Sequence, residues 1–283
     1  MSNTATVLAF DFGASSGRAI RAVYDGQNLT YEEIHRFENV PIEKEGHLCW
    51  DVETLLKEIH TAIQKAGTFD SLGFDTWGVD FGLLDADGHL LANSVHYRDA
   101  RTNGKPEQAA ARMPAEELYA HTGNQIMAIN TLFQLLALRE QDPELLQKAA
   151  QILFMPDLFA ALLGAEPVCE RSIASTSQML DPRTGQWSRE VLAAYGLPEN
   201  SFAPIVASGT VTGTLANGAK IIAVAGHDTQ CASAAMPCAE EDAEHTAFLS
   251  CGTWSLLGTE LDAPILTADS CQSGLSNELG ANG

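Results

Sequence analysis

Positive charge is what this sequence has least of. Lys and Arg together number 16 against 37 Asp and Glu, a formal net charge of −21 over 283 residues. Nucleic acid is held by clustered Lys and Arg that displace phosphate counterions, and no basic run exists here, so no nucleic-acid partner is expected. The same deficit disfavours adsorption to an anionic membrane. Small anions are not excluded, because a local group of backbone N–H donors can hold a phosphate against an unfavourable global field. Long apolar runs are missing as well: nothing approaches the ~20 residues of a membrane span. Met1 to Phe10 lack the basic start and apolar core of a secretory signal. The six cysteines (Cys49, Cys169, Cys231, Cys238, Cys251, Cys271) contain no C-x-x-C pair, and the eight histidines show no H-x-x-x-H spacing. Free thiols, no structural zinc and a cytoplasmic location are the expectation. With 45% hydrophobic residues the chain is too apolar for disorder, and its length suggests about two domains at ~150 residues each.

What is present begins as sheet. Thr6 to Phe10, Arg18 to Tyr24 and Leu29 to Phe37 read as strands, separated by the small-residue turn Asp11–Gly17 and by Asp25-Gly26, a meander pattern. The period then changes: Val52, Leu55, Leu56, Ile59 and Ile63 share one helical face, with Asp51 placed to cap it and Gly67 to end it. Ser71–Phe74 and Val79–Leu84 read as strands flanking Asp75-Thr76-Trp77-Gly78. From Ala109 to Leu163 the pattern is mainly helical, with restarts at Asp142-Pro143 and Pro156-Asp157. Ser188 opens a short helix ending near Gly196, and Pro198–Gly218 reads as a Pro/Gly/Ser-rich passage. Ile221–Ala225 is a strand that breaks at Gly226-His227-Asp228-Thr229, ahead of an Ala-rich helix to about Met236. Glu240-Glu241-Asp242 reads as a surface connection, after which Thr246–Ser250 and Leu256–Leu261 resume the strand pattern. Ala9–Ser16 and Phe248–Ser255 echo each other as apolar strand, Gly, small residue, Ser. That echo suggests two related domains whose opening hairpins face a common cleft.

Several segments can carry chemistry. Gly13, Ala14, Ser15, Ser16 and Gly17 are small enough for a phosphate to approach the backbone N–H groups, Arg18 adds a fixed positive charge, and Asp11 is suited to Mg²⁺ directly or through water. The pattern is neither a Walker A loop nor G-x-G-x-x-G; a plain hairpin with a capping Asp is the alternative. Asp228, at a strand end, can accept a proton from a substrate alcohol, or it and Thr229 simply cap the next helix. His227 taken alone reads as a packing residue. Cys251–Ser255 is a second phosphate turn or merely a tight turn. Asp75 to Asp80 places two acids around Trp77, a sugar-binding combination or a piece of core. Tyr97–Thr102 alternates charges, which a surface ion-pair set also explains.

Taken together and in order, these motifs resemble the sugar kinases of the FGGY family along essentially the whole chain. The resemblance is carried by Asp11–Arg18, Glu33–Phe37, Trp50-Asp51-Val52, Asp75–Phe81, Tyr97–Gly104, Met155-Pro156-Asp157, His227-Asp228-Thr229 and Ser250–Ser255. The Ala-Ser-Ser-Gly-Arg loop with Asp-Thr-Trp-Gly-Val-Asp-Phe points to the L-rhamnulose branch rather than the D-xylulose or glycerol branches. The resemblance implies an α/β, actin-like (ribonuclease-H-like) ATPase fold with two domains around a cleft. It also implies transfer of the ATP γ-phosphoryl group to the 1-hydroxyl of L-rhamnulose with Mg²⁺. By motif position Asp228 matches the catalytic base. Ala14, Ser15, Ser16, Gly17 and Arg18 match the first ATP-phosphate loop and Thr253 the second; Gly78, His227 and Thr229, beside Asp228, match sugar contacts, and Asp11 would serve the metal. Sugar and ATP are the expected partners, and a monomer is the simplest expectation.

Members of the family are longer. The expected division is a complete N-terminal domain over 1–240 and the truncated beginning of a second over 245–283, about forty residues that cannot bury a core of their own. An inactive or complementation-dependent fragment, or a kinase for a related ketose such as L-fuculose, are the competing expectations.

Overall fold

The computed structural model describes residues 4–238, 242 and 245–282. Alternation of apolar residues builds the expected meander: β1 (Ala5–Phe12) pairs antiparallel with β2 (Ser16–Tyr24), and β2 with β3 (Leu29–Glu38). Leu8, Phe10 and Phe12 of β1 are fully buried, which is the inward face of a period-2 strand. Helix α1 (Val52–Ala66) starts where Asp51 accepts the Thr54 N–H and ends at Gly67 with φ 66°, and it buries Val52, Leu55, Ile59, Ala62 and Ala66. The helix carries the chain over to strand Ser71–Thr76, which lies parallel to β1. Strand Lys220–Ala223 adds parallel to that, and Thr210–Thr214 closes the edge antiparallel. The six-stranded order is therefore Thr210–Thr214, Lys220–Ala223, Ser71–Thr76, β1, β2, β3.

Two cores result. In the first, Phe10 stacks on Phe74 and Phe12 on Phe159, each at 4.8 Å between ring centroids, so helix Met155–Leu162 is locked to the sheet. The second is helical: Thr131–Gln141 buries every residue from Thr131 to Leu138 against Phe81, Leu118, Ile152, Val191 and Tyr195.

Three sequence expectations are corrected. The helical reading of Ala109–Leu163 is interrupted by strand Gln151–Phe154, whose apolar run is too short to be distinguished from helix by period. The strand expected at Val79–Leu84 is Phe81–Leu84; it leaves the main sheet and pairs antiparallel with Gln151–Phe154. The cause is Val79, at φ 66°, which turns the chain away after Gly78. The Pro198–Gly218 passage holds strand Thr210–Thr214, the sheet edge, alongside the short Ile205–Val206.

Strands Ala247–Cys251 and Ser255–Thr259 form the expected hairpin as a separate two-stranded sheet, with Leu249 and Leu257 largely exposed. Its turn echoes that of β1 and β2. Residues 265–282 then return to the first body. The Tyr119 hydroxyl donates to Ile265 O at 3.2 Å, Asn277 N to Gly123 O at 2.8 Å, Leu279 N to Ser175 Oγ at 3.0 Å, and Arg171 Nη2 to Ala281 O at 2.5 Å. Glu240 and Glu241 of the acidic connection lie outside the described residues. No helix among the described residues is long and apolar enough to cross a membrane.

Candidate active site

The parallel strands bring the predicted acids to one end of the sheet. Asp11 and Asp75 are register partners at the carboxyl ends of β1 and Ser71–Thr76. On the other side, Thr76 N donates to Gly226 O at 2.9 Å and Thr76 bridges to His227, which delivers His227-Asp228 to the same end. In open α/β sheets, ligands gather there. Burial, then the Asp11 and Asp228 charges, push the Asp75 carboxyl well above its usual range. Burial also raises Asp228, opposed mainly by His227. The helix Asp228–Ala234 has His227 at its N-cap with no side-chain cap bond. Among the described residues, the Asp228 carboxylate accepts from the adjacent Thr229 N–H (2.6 Å) and hydroxyl (3.3 Å) and lies 3.5 Å from His227 Nε2, so helix capping does not consume it.

The first loop is a tight hairpin end. Gly13 N donates to Ser16 O at 2.9 Å. Asn39, buried behind it, donates through Nδ2 to Gly13 O (3.0 Å) and through its backbone N–H to Ser15 O (3.0 Å). Ala14, Ser15 and Ser16 are at least partly accessible, while Gly17 is buried within β2. A Cβ on Gly17 would fall 2.3 Å from the Phe37 ring, so glycine leaves the space in which that ring lies against β2. Arg18, half exposed, grips Asp11 Oδ2 through Nε (2.8 Å) and Nη2 (2.6 Å). Thr253 lies exposed in the second hairpin turn, whose first strand approaches helix Asp228–Ala234.

Gly78 stays partly accessible between buried neighbours. Its backbone is set by the strained Val79, whose N–H donates to Thr176 Oγ1 (3.1 Å) and whose carbonyl accepts from Thr131 Oγ1 (2.7 Å). Trp77 is not an open stacking platform: it is buried against Trp50 at 4.0 Å, and both indoles donate to Asp80 Oδ2. Asp99 accepts from Leu48 N, Arg101 N and His47 Nδ1, so the charged Tyr97–Thr102 loop is clamped from within rather than loosely paired at the surface.

His227 is buried, with Nδ1 2.8 Å from Glu278 Oε2 and Nε2 3.5 Å from Asp228 Oδ1. Behind it, Glu170 is buried and accepts from Ser172 N (2.9 Å), Ser172 Oγ (2.5 Å), Gly226 N (2.9 Å) and Ser208 Oγ (2.5 Å), which fixes the approach to His227. Asn39, Glu170 and Glu278 are missing from the sequence-based site, and Asp75 enters it only as one of the two acids around Trp77. Only Asp75 had a local signal, the Phe-Asp strand end it shares with Asp11. A cavity of about 400 Å³, lined by Lys44, His47, Cys49, Ser94 and Arg101 among others, includes none of these residues; the site is defined by converging strand ends.

A family model matches most of the chain. The N-terminal domain of the FGGY family of carbohydrate kinases covers residues 6–234. The chain belongs to the FGGY family of carbohydrate kinases. It is 41% identical over 98% of its length to a curated rhamnulokinase of Bacteroides thetaiotaomicron, and spans 59% of that relative's length. Among solved structures, the ligand-bound xylulose kinase from Lactobacillus acidophilus superposes with a TM-score of 0.78 at 17% identity, covering 94% of this chain and 56% of that one. A carbohydrate kinase from Novosphingobium aromaticivorans gives 0.76 at 22% identity, covering 95% and 58%. The FGGY chain thus has the actin-like (ribonuclease-H-like) ATPase fold expected of it.

Proposed function

We propose that this chain serves ATP-dependent phosphorylation of L-rhamnulose at its 1-hydroxyl, with Asp228 as general base. The observation that carries this reading is the carboxylate of Asp228, uncommitted to a cap, at the strand ends beside Asp11 and Asp75. The rhamnulokinase relative supports the sugar, and L-fuculose is the neighbouring alternative. Asp228 takes the proton from the sugar hydroxyl as its oxygen forms a bond to the γ-phosphorus. The bond from that phosphorus to the β–γ bridging oxygen breaks, and ADP leaves. Such a transfer asks the protein chiefly for positioning and charge neutralisation. Ala14, Ser15, Ser16 and Gly17 would hold the phosphates with Arg18, and Thr253 would contribute from the second hairpin. Gly78, His227 and Thr229 would contact the sugar.

Mg²⁺ fits the donor set. Asp11 and the neighbouring Asp75 offer oxygen ligands, and burial, with the Asp11 and Asp228 charges nearby, pushes the Asp75 carboxyl well above its usual range, a penalty that a bound cation would relieve. Among the described residues, the cluster of three metal-ligating side chains with ligand atoms within 4.8 Å is Asp85, Asp87 and His89, elsewhere. Mg²⁺ keeps several waters and is commonly held by only one or two carboxylates, which Asp11 and Asp75 can supply. When bound, Mg²⁺ would offset phosphate charge.

Asp228→Asn is expected to lower phosphoryl transfer by at least ~10²-fold with little loss of sugar binding. ADP release with L-rhamnulose, L-fuculose and D-xylulose measures both the base and the sugar. Retained turnover removes the base assignment, and preference for another ketose removes L-rhamnulose.

A further inference from the structure

His227 stands between two carboxylates, one its chain neighbour and the other 51 residues away. Glu278 Oε2 meets Nδ1 at 2.8 Å and also accepts from Gln230 Nε2 at 3.0 Å. Its segment is pinned on both sides. Asn277 Nδ2 donates to Gly123 O (3.0 Å) and Tyr119 Oη (3.2 Å), and Leu279 N to Ser175 Oγ. A carboxylate on Nδ1 fixes the orientation of an imidazole, and a second carboxylate near Nε2 favours the doubly protonated ring. The site around it is otherwise acidic: Arg18 answers Asp11, but His227 is the cationic group nearest Asp228 in the described contacts.

We propose that Glu278 is a positioning residue that acts through His227, holding the ring as an imidazolium with Nε2 directed at Asp228 so that the base stays ionised and aimed. This rests on the reading of Asp228 as the base. The charged groups facing His227 are Glu278 from the returning segment, Asp228 from its own helix and Asp75 from the adjacent strand. Glu170 approaches from behind through the Gly226 N–H and Ser172, whose Oγ accepts the His227 N–H at 3.3 Å. Burial works against the imidazolium, but Glu278, then Asp228 and Asp75, outweigh it and push His227 up to about 9. In turn His227 holds Glu278 below its usual range against the effect of burial.

NMR of the 283-residue chain labelled in histidine and aspartate tests this without requiring turnover. His227 is assigned through His227→Gln and Asp228 through Asp228→Asn. The His227 midpoint is expected above ~pH 8, and Glu278→Gln should lower it by about one unit or more while raising the Asp228 midpoint. Glu278→Asp, which keeps the charge, should restore both toward their starting values. An unmoved His227 midpoint in Glu278→Gln, or a lowered one with Asp228 unmoved, overturns the proposal. If Glu278→Gln does not fold, His227→Asn takes its place, and an unmoved Asp228 there is equally fatal. Turnover by Asp228→Asn would instead remove the base and leave the Glu278–His227 pairing standing.

Discussion

Asp80 shows how one buried carboxylate can organise the ground beneath a binding loop. Its Oδ2 accepts from Trp50 Nε1 (2.6 Å), Trp77 Nε1 (3.0 Å) and Tyr97 N (3.1 Å), and its Oδ1 from Gln134 Nε2 (2.8 Å). Burial drives its carboxyl up to about 6, with these donors pulling the other way. Asp80→Ala would strand the two indole N–H groups and the Tyr97 N–H in the interior, while Gln134 Nε2 keeps Ile129 O at 2.9 Å, and each buried unsatisfied group costs about 1–3 kcal/mol. A loss above ~3 kcal/mol in urea unfolding is expected, and Asp80→Asn, which keeps one acceptor for the indoles, should cost less. Equal and small effects would show that the four bonds contribute little. The Asp75–Asp80 motif was legible as two acids around an aromatic. The sugar-platform reading of Trp77 gave way because Asp80 points inward and takes the indole with it.

At the level of elements, β1 to β3, α1 and the short helices at Ser188 and Pro156 could be read from period and caps alone. The failures share one physical cause. Gln151–Phe154, Phe81–Leu84 and Thr210–Thr214 are only four or five residues long, too short for a period to fix their bounds or partners, and the first two pair with each other across a wide gap in the sequence. The phosphate-loop hairpin shows the opposite case, in which local sequence carries a tertiary requirement. Gly17→Ala would drive a Cβ into the Phe37 ring at 2.3 Å. Displacement of the Phe37 ring and a loss of about 1–3 kcal/mol are expected, with weakened ATP binding if the strain reaches the Ser15–Ser16 turn. Calorimetry and a nucleotide titration measure the two effects, and an unchanged melting temperature would mean that Phe37 swings aside freely.

Across the whole molecule, the returning segment 265–282 ties residues far apart in sequence through Asn277, Glu278 and Leu279. The His227–Glu278 pair makes that tie pH-dependent. His227 is raised from 6.5 to about 9. Its contribution is therefore fully present below the unfolded value near 6.5 and is lost as pH rises through about 9. Glu278 is shifted downward, so its contribution is present above the usual carboxylate range and is lost on acidification below it. The melting temperature of the native chain should exceed that of Glu278→Gln most between these limits, with the gap closing as pH rises past about 9. A gap independent of pH would indicate simple packing.

The sequence by itself determined the family, the sheet that opens the chain, and the placing of Asp11, Ser15, Arg18 and Asp228 at turns after apolar strands. Small residues and strand-end acids are local signals, and they survive without knowledge of partners. Only the tertiary structure decided which acids meet. Parallel pairing aligned Asp75 with Asp11, the Thr76–Gly226 bond drew in Asp228, and the returning segment set Glu278 against His227. Those contacts join residues 51 to 64 positions apart or more, as in Glu278 with His227 and Asp11 with Asp75. Pairing across such spans depends on how elements pack, which no local pattern encodes. The scarcity of positive charge acquires a location in the same way. Among the described residues, Arg18 and His227 stand where the acids converge, each held there by a carboxylate.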